Sequence, residues 1–255
     1  MMAVFDGSLY SEALQMQTGV TVILPENSKA TPLQDGKFPV LYLLHGLEDD
    51  HTCWLRRSRV DFYARNKNLV IVMPEVQRSF YTDMTYGLSY FTYLTEDLPR
   101  MVKQLFPVTD DPRHTFIAGL SMGGYGAMKC ALRNPASYGA VGSFSAAADL
   151  RQEVEDPAHD PFFPGEAHAI FGDRLSPEND LFMLTSKAAK EHTALPPLYL
   201  TCGLSDPLYD ANKRLRTQLD FLKLPYAYEE WAGAHDWDFW DTSIKNFLQF
   251  ILPET

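Results

Sequence analysis

The sequence predicts a single α/β domain in which helices cover both faces of a mostly parallel central sheet. Short apolar runs rich in β-branched residues alternate with longer segments of helical periodicity, which is the order of elements that builds such a sheet. Most of these runs carry no alternating polar residues, as expected for strands buried on both faces. Neither a Gly/Ser-rich linker nor an internal repeat interrupts the sequence, so we expect residues 1–255 to form one domain.

The predicted elements follow one another along the chain as strands and helices. Seven short apolar runs are predicted as strands: 20–24, 39–44, 69–73, 115–118, 140–145, 198–202 and 226–231. Five longer segments are predicted as helices: 53–66, 90–106, 123–134, 209–224 and 239–251. In the fourth helix Leu215, Leu219 and Leu222 share one face and the basic residues fall elsewhere, which indicates one buried stripe.

One segment, from residue 149 to about residue 197, departs from this alternation. It is too long for a tight connection and combines acidic residues, proline-flanked aromatic residues and a Gly-Asp loop: Glu153, Glu155, Asp156, Asp160, Phe162, Phe163, Gly172 and Asp173. Segments of this length within a domain are usually binding loops or lids. We expect a lid-like excursion above the sheet that covers the substrate; mobile decoration of the surface is the alternative.

Charge and composition exclude several classes of partner. The chain has 33 acidic and 22 basic residues, a net charge of −11, and so acidic a surface repels nucleic acid and anionic lipid. The longest apolar stretch, residues 38–47, is about half the length of a membrane-spanning helix. Since the first residues do not resemble a secretory signal and Cys53, Cys130 and Cys202 cannot all pair, we expect a cytoplasmic protein with reduced thiols.

The strongest functional motif is Gly-Leu-Ser-Met-Gly at residues 119–123. A predicted strand enters it and a predicted helix leaves it, which is the context that a nucleophile elbow requires. Ser121 would sit on a strained turn that holds its hydroxyl clear of the sheet, and side chains at positions 119 and 123 would collide with neighbouring backbone. The structural alternative is an ordinary glycine-rich turn.

A serine hydroxyl needs a base, and the base needs an orienting carboxylate. His235 is the only histidine after residue 192 and follows the last predicted strand. Asp206 follows the preceding predicted strand, and Asp210, inside the next predicted helix, is the weaker choice. The order Ser, Asp, His agrees with one known arrangement of the triad. The alternatives are a surface-loop histidine and an aspartate that only caps a helix.

Stabilising an oxyanion requires preformed hydrogen-bond donors. We predict that the backbone N–H groups of Met122 and Leu47 supply them, because one donor follows the nucleophile and the other follows an early strand. In the segment 45–51, the residues His45, Glu48, Asp49, Asp50 and His51 could also suggest a metal site. Their spacing matches no common zinc or calcium pattern, so we expect no metal and no cofactor, with His45 supporting the loop.

These motifs resemble the esterase D group of α/β-hydrolases, which includes S-formylglutathione hydrolases, tributyrin esterases and acetyl or cinnamoyl esterases. The similar segments lie at 42–47, 81–82, 96–99, 119–127, 203–206 and 233–237. The resemblance implies the α/β-hydrolase fold and a triad of Ser121, Asp206 and His235 with backbone donors at Leu47 and Met122. It also suggests a homo-oligomer.

The resemblance favours a short-acyl carboxylesterase, acting on acetylated carbohydrate or on phenolic (feruloyl) esters. Formylglutathione hydrolases typically carry a different, cysteine-containing loop after His-Gly-Leu, and residues 48–54 (Glu-Asp-Asp-His-Thr-Cys-Trp) do not match it. Trp54 stands where tributyrin esterases place a tryptophan, and it is a candidate wall of the substrate pocket or else a core residue. The alternatives are an S-formylglutathione hydrolase-type thioesterase and a catalytically silent binding protein.

Overall fold

One mixed sheet organises the protein, and its centre is parallel. The structure is a computed structural model that describes residues 2–26, 30–155 and 163–253. In this described part the strands are β1 (Met2–Ser11), β2 (Met16–Pro25), β3 (Val40–Leu44), β4 (Val70–Pro74), β5 (Thr115–Leu120), β6 (Ala140–Phe144), β7 (Leu198–Gly203) and β8 (Ala227–Trp231). They lie in the order β1-β2-β4-β3-β5-β6-β7-β8. The pairs β1–β2 and β2–β4 are antiparallel, and the other pairs are parallel, as predicted.

The helices flank this sheet. They are α1 (Cys53–Arg57), α2 (Val60–Ala64), α3 (Tyr90–Thr92), α4 (Leu98–Leu105), α5 (Met122–Arg133), α6 (Arg151–Glu155), α7 (Glu166–Phe171), α8 (Leu181–Lys190), α9 (Tyr209–Leu222) and α10 (Trp237–Ile251). The segment Tyr93–Asp97, between α3 and α4, is π-helical. None of the described helices combines the length and the apolar character that crossing a bilayer requires.

The structure differs from the predicted elements in two places: one predicted helix is broken, and one strand was not predicted. The helix predicted over 53–66 is broken, because Ser58 is extended (φ −129°, ψ 176°) and its hydroxyl donates to the carbonyl oxygen of Trp54 at 2.6 Å. The strand β1 was not predicted: it is an edge strand with mostly exposed residues, and Asp6, Gly7 and Ser8 interrupt its apolar character.

Two apolar layers, one on each face of the sheet, form the core. On β3, Tyr42 and Leu44 belong to one layer, whereas Leu41 and Leu43 belong to the other. This is the alternation of a strand that is buried on both faces, and it explains why the strand appears in the sequence as a continuous apolar run. The first layer contains the buried sides of α4, α5, α8 and α9, and the second contains those of α1, α2 and α10.

The segment between β6 and β7 contains helices rather than an irregular loop. Of its predicted features, Asp156, Asp160 and Phe162 lie outside the described residues. α8 packs on α5 and α9, and its residues Leu181 and Leu184 are buried in the first apolar layer. The end of the segment is therefore a part of the core.

Candidate active site

Ser121 stands on the turn between β5 and α5 in a strained backbone conformation. Its φ is 52° and its ψ is −116°, which lies outside the regions favoured by L-residues and is typical of functional turns. The backbone hydrogen bonds of the turn hold it there: the N–H of Ser121 donates to Phe144 at 2.8 Å, and its carbonyl accepts from Tyr125 at 3.0 Å. The hydroxyl consequently stands at the carboxyl end of the sheet.

Two glycines let this turn approach the sheet. A Cβ placed on Gly119 would lie 2.6 Å from backbone atoms of Gly123, and a Cβ on Gly123 would lie 2.6 Å from the carbonyl oxygen of Leu44 and 2.7 Å from that of His45. Contacts this short with backbone cannot be relieved by a side-chain rotation. The prediction that side chains would collide at positions 119 and 123 is confirmed.

The structure brings Ser121, His235 and Asp206 together. The His235 Nε2 lies 3.0 Å from the Ser121 hydroxyl, and its Nδ1 lies 2.9 and 3.1 Å from the two carboxylate oxygens of Asp206. Asp206 follows β7, and His235 lies between β8 and α10. Because an ionised carboxylate only accepts hydrogen bonds, the proton of a neutral His235 lies on Nδ1 and its Nε2 can accept from the serine hydroxyl.

The surroundings of Asp206 keep its carboxyl group ionised. Its side chain is fully buried, whereas that of His235 is 26% exposed. Burial alone would raise the pKa of Asp206, but the hydrogen bonds from His235 and from the backbone N–H of Leu208 outweigh it, and the pKa lies below its ordinary value. Asp210 is exposed on α9, so the structure does not bring this weaker candidate to His235.

The loop that follows β3, residues 45–50, borders Ser121, and we call it the oxyanion loop. Leu47 lines the same cleft as Ser121, and a Cβ on Gly46 would lie 3.8 Å from the Cβ of Ser121. Met122 is the first residue of α5, a position whose N–H has no acceptor within its own helix. Both predicted donors therefore belong to segments that meet at the nucleophile.

His45 supports the oxyanion loop from within the core. Its Nδ1 is 2.7 Å from the carbonyl oxygen of Gly46, and its Nε2 accepts from the N–H of Val76 at 3.2 Å. Burial is the main reason that the pKa of His45 lies below its ordinary value, so the imidazole is neutral. One nitrogen contacts the loop at Gly46 and the other anchors the imidazole to Val76.

The two histidines of this segment do not converge. The Nδ1 of His51 instead contacts the Thr21 hydroxyl at 2.9 Å, on the side of β2. Among the described residues no group of three or more His, Cys, Asp and Glu side chains is arranged to hold a metal ion.

A cleft of about 500 Å³ opens above Ser121 and His235. Sequence reasoning missed three of its walls: Arg57, Trp237 and Trp240. The Trp240 ring meets the His235 imidazole edge to face at 4.9 Å. Trp237 and Trp240 follow His235 within five residues, and this proximity was the available signal. Arg57 gave none, because only the break at Ser58 fixes where α1 ends.

Trp54 lies behind the cleft wall: of its two predicted places, the structure shows the core residue and not the wall of the pocket. It is 1% exposed, its indole N–H donates to the carbonyl oxygen of Leu44 at 2.9 Å, and its ring packs edge to face on Trp237 at 5.1 Å. A side chain so enclosed does not face the cleft, whereas its neighbour Trp237 lines it. None of the described residues of the excursion between β6 and β7 lines this cleft either.

Comparisons with known proteins give the family. The "Putative esterase" family model matches residues 11–251. An acetyl esterase from Caldicellulosiruptor saccharolyticus is 28% identical over 98% of both chains. Two Staphylococcus aureus structures are each 32% identical over 99% of both chains: the fluorophosphonate-binding serine hydrolase FphF, with a TM-score of 0.89, and the S-formylglutathione hydrolase FrmB, with a TM-score of 0.87.

These relatives agree in fold and in chemistry. The chain superimposes along nearly its whole length on serine hydrolases, and its mixed sheet with a nucleophile elbow after β5 is that of the α/β-hydrolases. The chain belongs to the esterase family, within its esterase D-like group, and is a carboxylic ester hydrolase of the serine esterase type.

Proposed function

We propose that the protein hydrolyses short-acyl carboxylic esters through an acyl-enzyme formed on Ser121. The observation that carries this proposal is the relay of hydrogen bonds from Asp206 to His235 to Ser121, with donor–acceptor distances of 2.9 and 3.0 Å. These are the contacts by which a base activates a hydroxyl and an acid orients the base.

In the first half-reaction the Ser121 oxygen attacks the acyl carbon, and His235 Nε2 takes the hydroxyl proton. The carbonyl oxygen becomes an oxyanion, which the N–H groups of Leu47 and Met122 stabilise. When the carbon–oxygen bond to the alcohol breaks, His235 returns its proton to the leaving oxygen. A water molecule then attacks the acyl-enzyme with the same base and releases the acid and free Ser121.

The charges of the cleft favour a neutral alcohol part. Glu48, Asp49 and Asp236 line it together with a single cationic side chain among its described walls, Arg57. The Arg57 guanidinium lies 4.0 Å from an Asp49 carboxylate oxygen, and Asp236 accepts from the N–H of Phe239 as the cap of α10. Because acids outnumber the base, a substrate with a net negative charge, such as S-formylglutathione, meets net repulsion.

A panel of substrates tests this function. We expect kcat/KM to be higher for p-nitrophenyl acetate and butyrate than for the octanoate and dodecanoate, since each methylene that does not fit costs about 1–3 kcal/mol. S-formylglutathione should be hydrolysed with lower kcat/KM than the short oxoesters. A flat or rising profile with chain length would contradict the acyl preference, and a preference for S-formylglutathione would favour the thioesterase alternative.

A fluorophosphonate probe separates the enzyme from a silent binding protein. Wild-type protein should be labelled in a time-dependent manner, and Ser121→Ala protein should not. Folded wild-type protein that neither reacts with the probe nor hydrolyses any ester of the panel would contradict the proposed function.

The proposed cellular location rests on the state of the cysteines. The free and buried state of Cys53, Cys130 and Cys202 fits a reducing compartment, and we propose a cytoplasmic location on this ground. A homo-oligomer, and the lack of a nucleic acid partner that the net charge of −11 suggests, stay predictions of the sequence.

A further inference from the structure

Tyr81 lies between the two segments that would supply the oxyanion donors. Its side chain is fully buried, and its hydroxyl donates to the carbonyl oxygen of His45, at the start of the oxyanion loop, at 2.9 Å. A Cβ placed on Gly126 of α5 would meet the Tyr81 ring at 2.5 Å. The ring thus lies directly against the helix that begins at Met122, and one side chain contacts both segments.

The position of the oxyanion loop depends on this contact. The peptide group that carries the His45 carbonyl also carries the N–H of Gly46, the residue before Leu47. The Leu47 N–H belongs to the next peptide group, together with the Gly46 carbonyl, so a shift of the His45–Gly46 peptide would displace the Leu47 N–H relative to the acyl oxygen. The hydrogen bond from Tyr81 opposes this shift on the carbonyl side, and the Nδ1 of His45 contacts the next carbonyl.

Tyr81 is itself held in place by the buried amino group of Lys129. Phe80 and Tyr81 have left-handed backbone conformations, with φ of 50° and 52°, and such strain persists only where the surroundings impose it. The Nζ of Lys129, on α5, donates to the carbonyl oxygen of Phe80 at 3.1 Å and to the hydroxyl of Thr82 at 2.6 Å. The helix that carries the nucleophile therefore also fixes the backbone of Tyr81.

We propose that Tyr81 is a positioning residue, which sets the distance between the Leu47 and Met122 donors, and that Lys129 and Thr82 keep it in place. This inference rests on the proposed function. Burial raises the pKa of the Tyr81 hydroxyl well above its usual range, so the group remains a neutral donor throughout the working pH.

The test compares Tyr81→Phe with Tyr42→Phe. Tyr42 is a matched control, because it is also buried (3% exposed) and its hydroxyl has no hydrogen-bond partner among the described residues. Loss of a whole oxyanion donor lowers kcat by about 10²–10³. For a displaced donor we expect Tyr81→Phe to lower kcat for p-nitrophenyl acetate by about 10-fold with KM nearly unchanged, and Tyr42→Phe to leave both unchanged.

A trifluoromethyl ketone inhibitor provides the second readout. Its carbonyl carbon bonds to the Ser121 oxygen, the proton passes to His235, and the ketone oxygen becomes an oxyanion in the same hole. The affinity of Tyr81→Phe for this inhibitor should fall in parallel with kcat/KM. A purely structural role would lower only the melting temperature and would leave kcat and inhibitor affinity at wild-type values, which would overturn the proposal.

Thr82→Val covers the case in which Tyr81→Phe does not fold. It removes the 2.6 Å contact with Lys129 and keeps the phenol. We expect the same two effects at smaller size, and unchanged kcat and inhibitor affinity would overturn the proposal. Wild-type protein that fails to hydrolyse esters would instead contradict the proposed function, so the two failures are distinguishable.

Discussion

At the scale of single residues, the hydrogen-bond partners of Asp206 determine its charge. The Asp206 carboxylate is buried and ionised because His235 and the N–H of Leu208 bond to it. In the proposed mechanism, an ionised acid at this place holds the Nδ1 proton and stabilises the imidazolium formed when His235 takes the proton of Ser121. Neutralising the acid reverses this arrangement, since an amide presents a donor as well as an acceptor.

We therefore expect Asp206→Asn to lower kcat by about 10³–10⁴ and Asp210→Asn to have almost no effect. The two residues are close in sequence, but Asp206 bonds to His235 and Asp210 is exposed on α9. Steady-state kinetics on p-nitrophenyl acetate measures the difference, with circular dichroism as the check on folding. A large loss in Asp210→Asn together with an active Asp206→Asn would show that the acid is misassigned.

Residues whose position follows from local chain order could be predicted. Ser121, Asp206 and His235 each come just after a strand, and the ends of parallel strands meet at one edge of the sheet. Arg57 as a wall of the cleft and the direction of the Trp54 side chain could not be predicted in this way. Trp54 faces the core, because the direction of a side chain on a short helix depends on how α1 packs, and that packing involves Trp237, distant in sequence.

For most strands and helices, the sequence predicts that the element exists better than it predicts where the element ends. The buried strands β3 to β7 are continuous apolar runs with little ambiguity. β1 was not predicted, because backbone hydrogen bonds pair it with β2 over its whole length, Met2–Ser11, and this pairing requires no apolar run. The break at Ser58 was not predicted either. Its hydroxyl donates to the Trp54 carbonyl oxygen in the preceding turn, and in the sequence such a serine cannot be distinguished from an ordinary polar residue of a helix.

At the level of elements, α5 approaches the end of β3 closely enough to leave no space for a side chain at Gly123. We expect Gly123→Ala to lower both the melting temperature and kcat/KM, because its Cβ would lie 2.6 Å from the Leu44 carbonyl oxygen. The gain in helix propensity from glycine to alanine, about 1 kcal/mol, cannot offset such an overlap.

Gly7→Ala is the control, since a Cβ at Gly7 meets nothing within 4 Å. Thermal melts and assays with p-nitrophenyl acetate on both variants make the comparison. Gly123→Ala protein with wild-type stability and wild-type kcat/KM would show that the turn can shift without cost.

On the scale of the whole molecule, a buried lysine lies in the first apolar layer. Lys129 is fully buried, and its Nζ contacts three neutral oxygens: the Phe80 carbonyl, the Thr82 hydroxyl and the Asn179 amide oxygen. Burial is the main cause that lowers its pKa to about 7, with opposing contributions from Cys130 and Asp83 and a further lowering by Arg133. Because its pKa differs between the folded and the unfolded chain, this group links folding stability to pH.

The last prediction concerns that link. In the unfolded chain the lysine pKa is about 10.4, so between pH 7 and pH 9 the unfolded state binds more protons at this site than the folded state. The contribution of Lys129 to the free energy of unfolding therefore rises with pH. We expect Lys129 to add about 1 kcal/mol per pH unit to the pH dependence of the free energy of unfolding in this range. The Lys129→Met variant should lack this increment, whatever its absolute stability.

Urea unfolding of wild type and of Lys129→Met at pH 7, 8 and 9 measures the increment as a difference of slopes. Lys213→Met, which removes an exposed lysine from α9, controls for the change in net charge and should keep the wild-type slope. The measurements stay below pH 10, where tyrosines of the unfolded chain begin to ionise. The buried Tyr81 and Tyr125, whose pKa values burial raises, stay protonated there and would make stability fall with pH. Equal slopes for wild type and Lys129→Met would mean that Lys129 stays charged in the core and that its three oxygen partners stabilise the ammonium form.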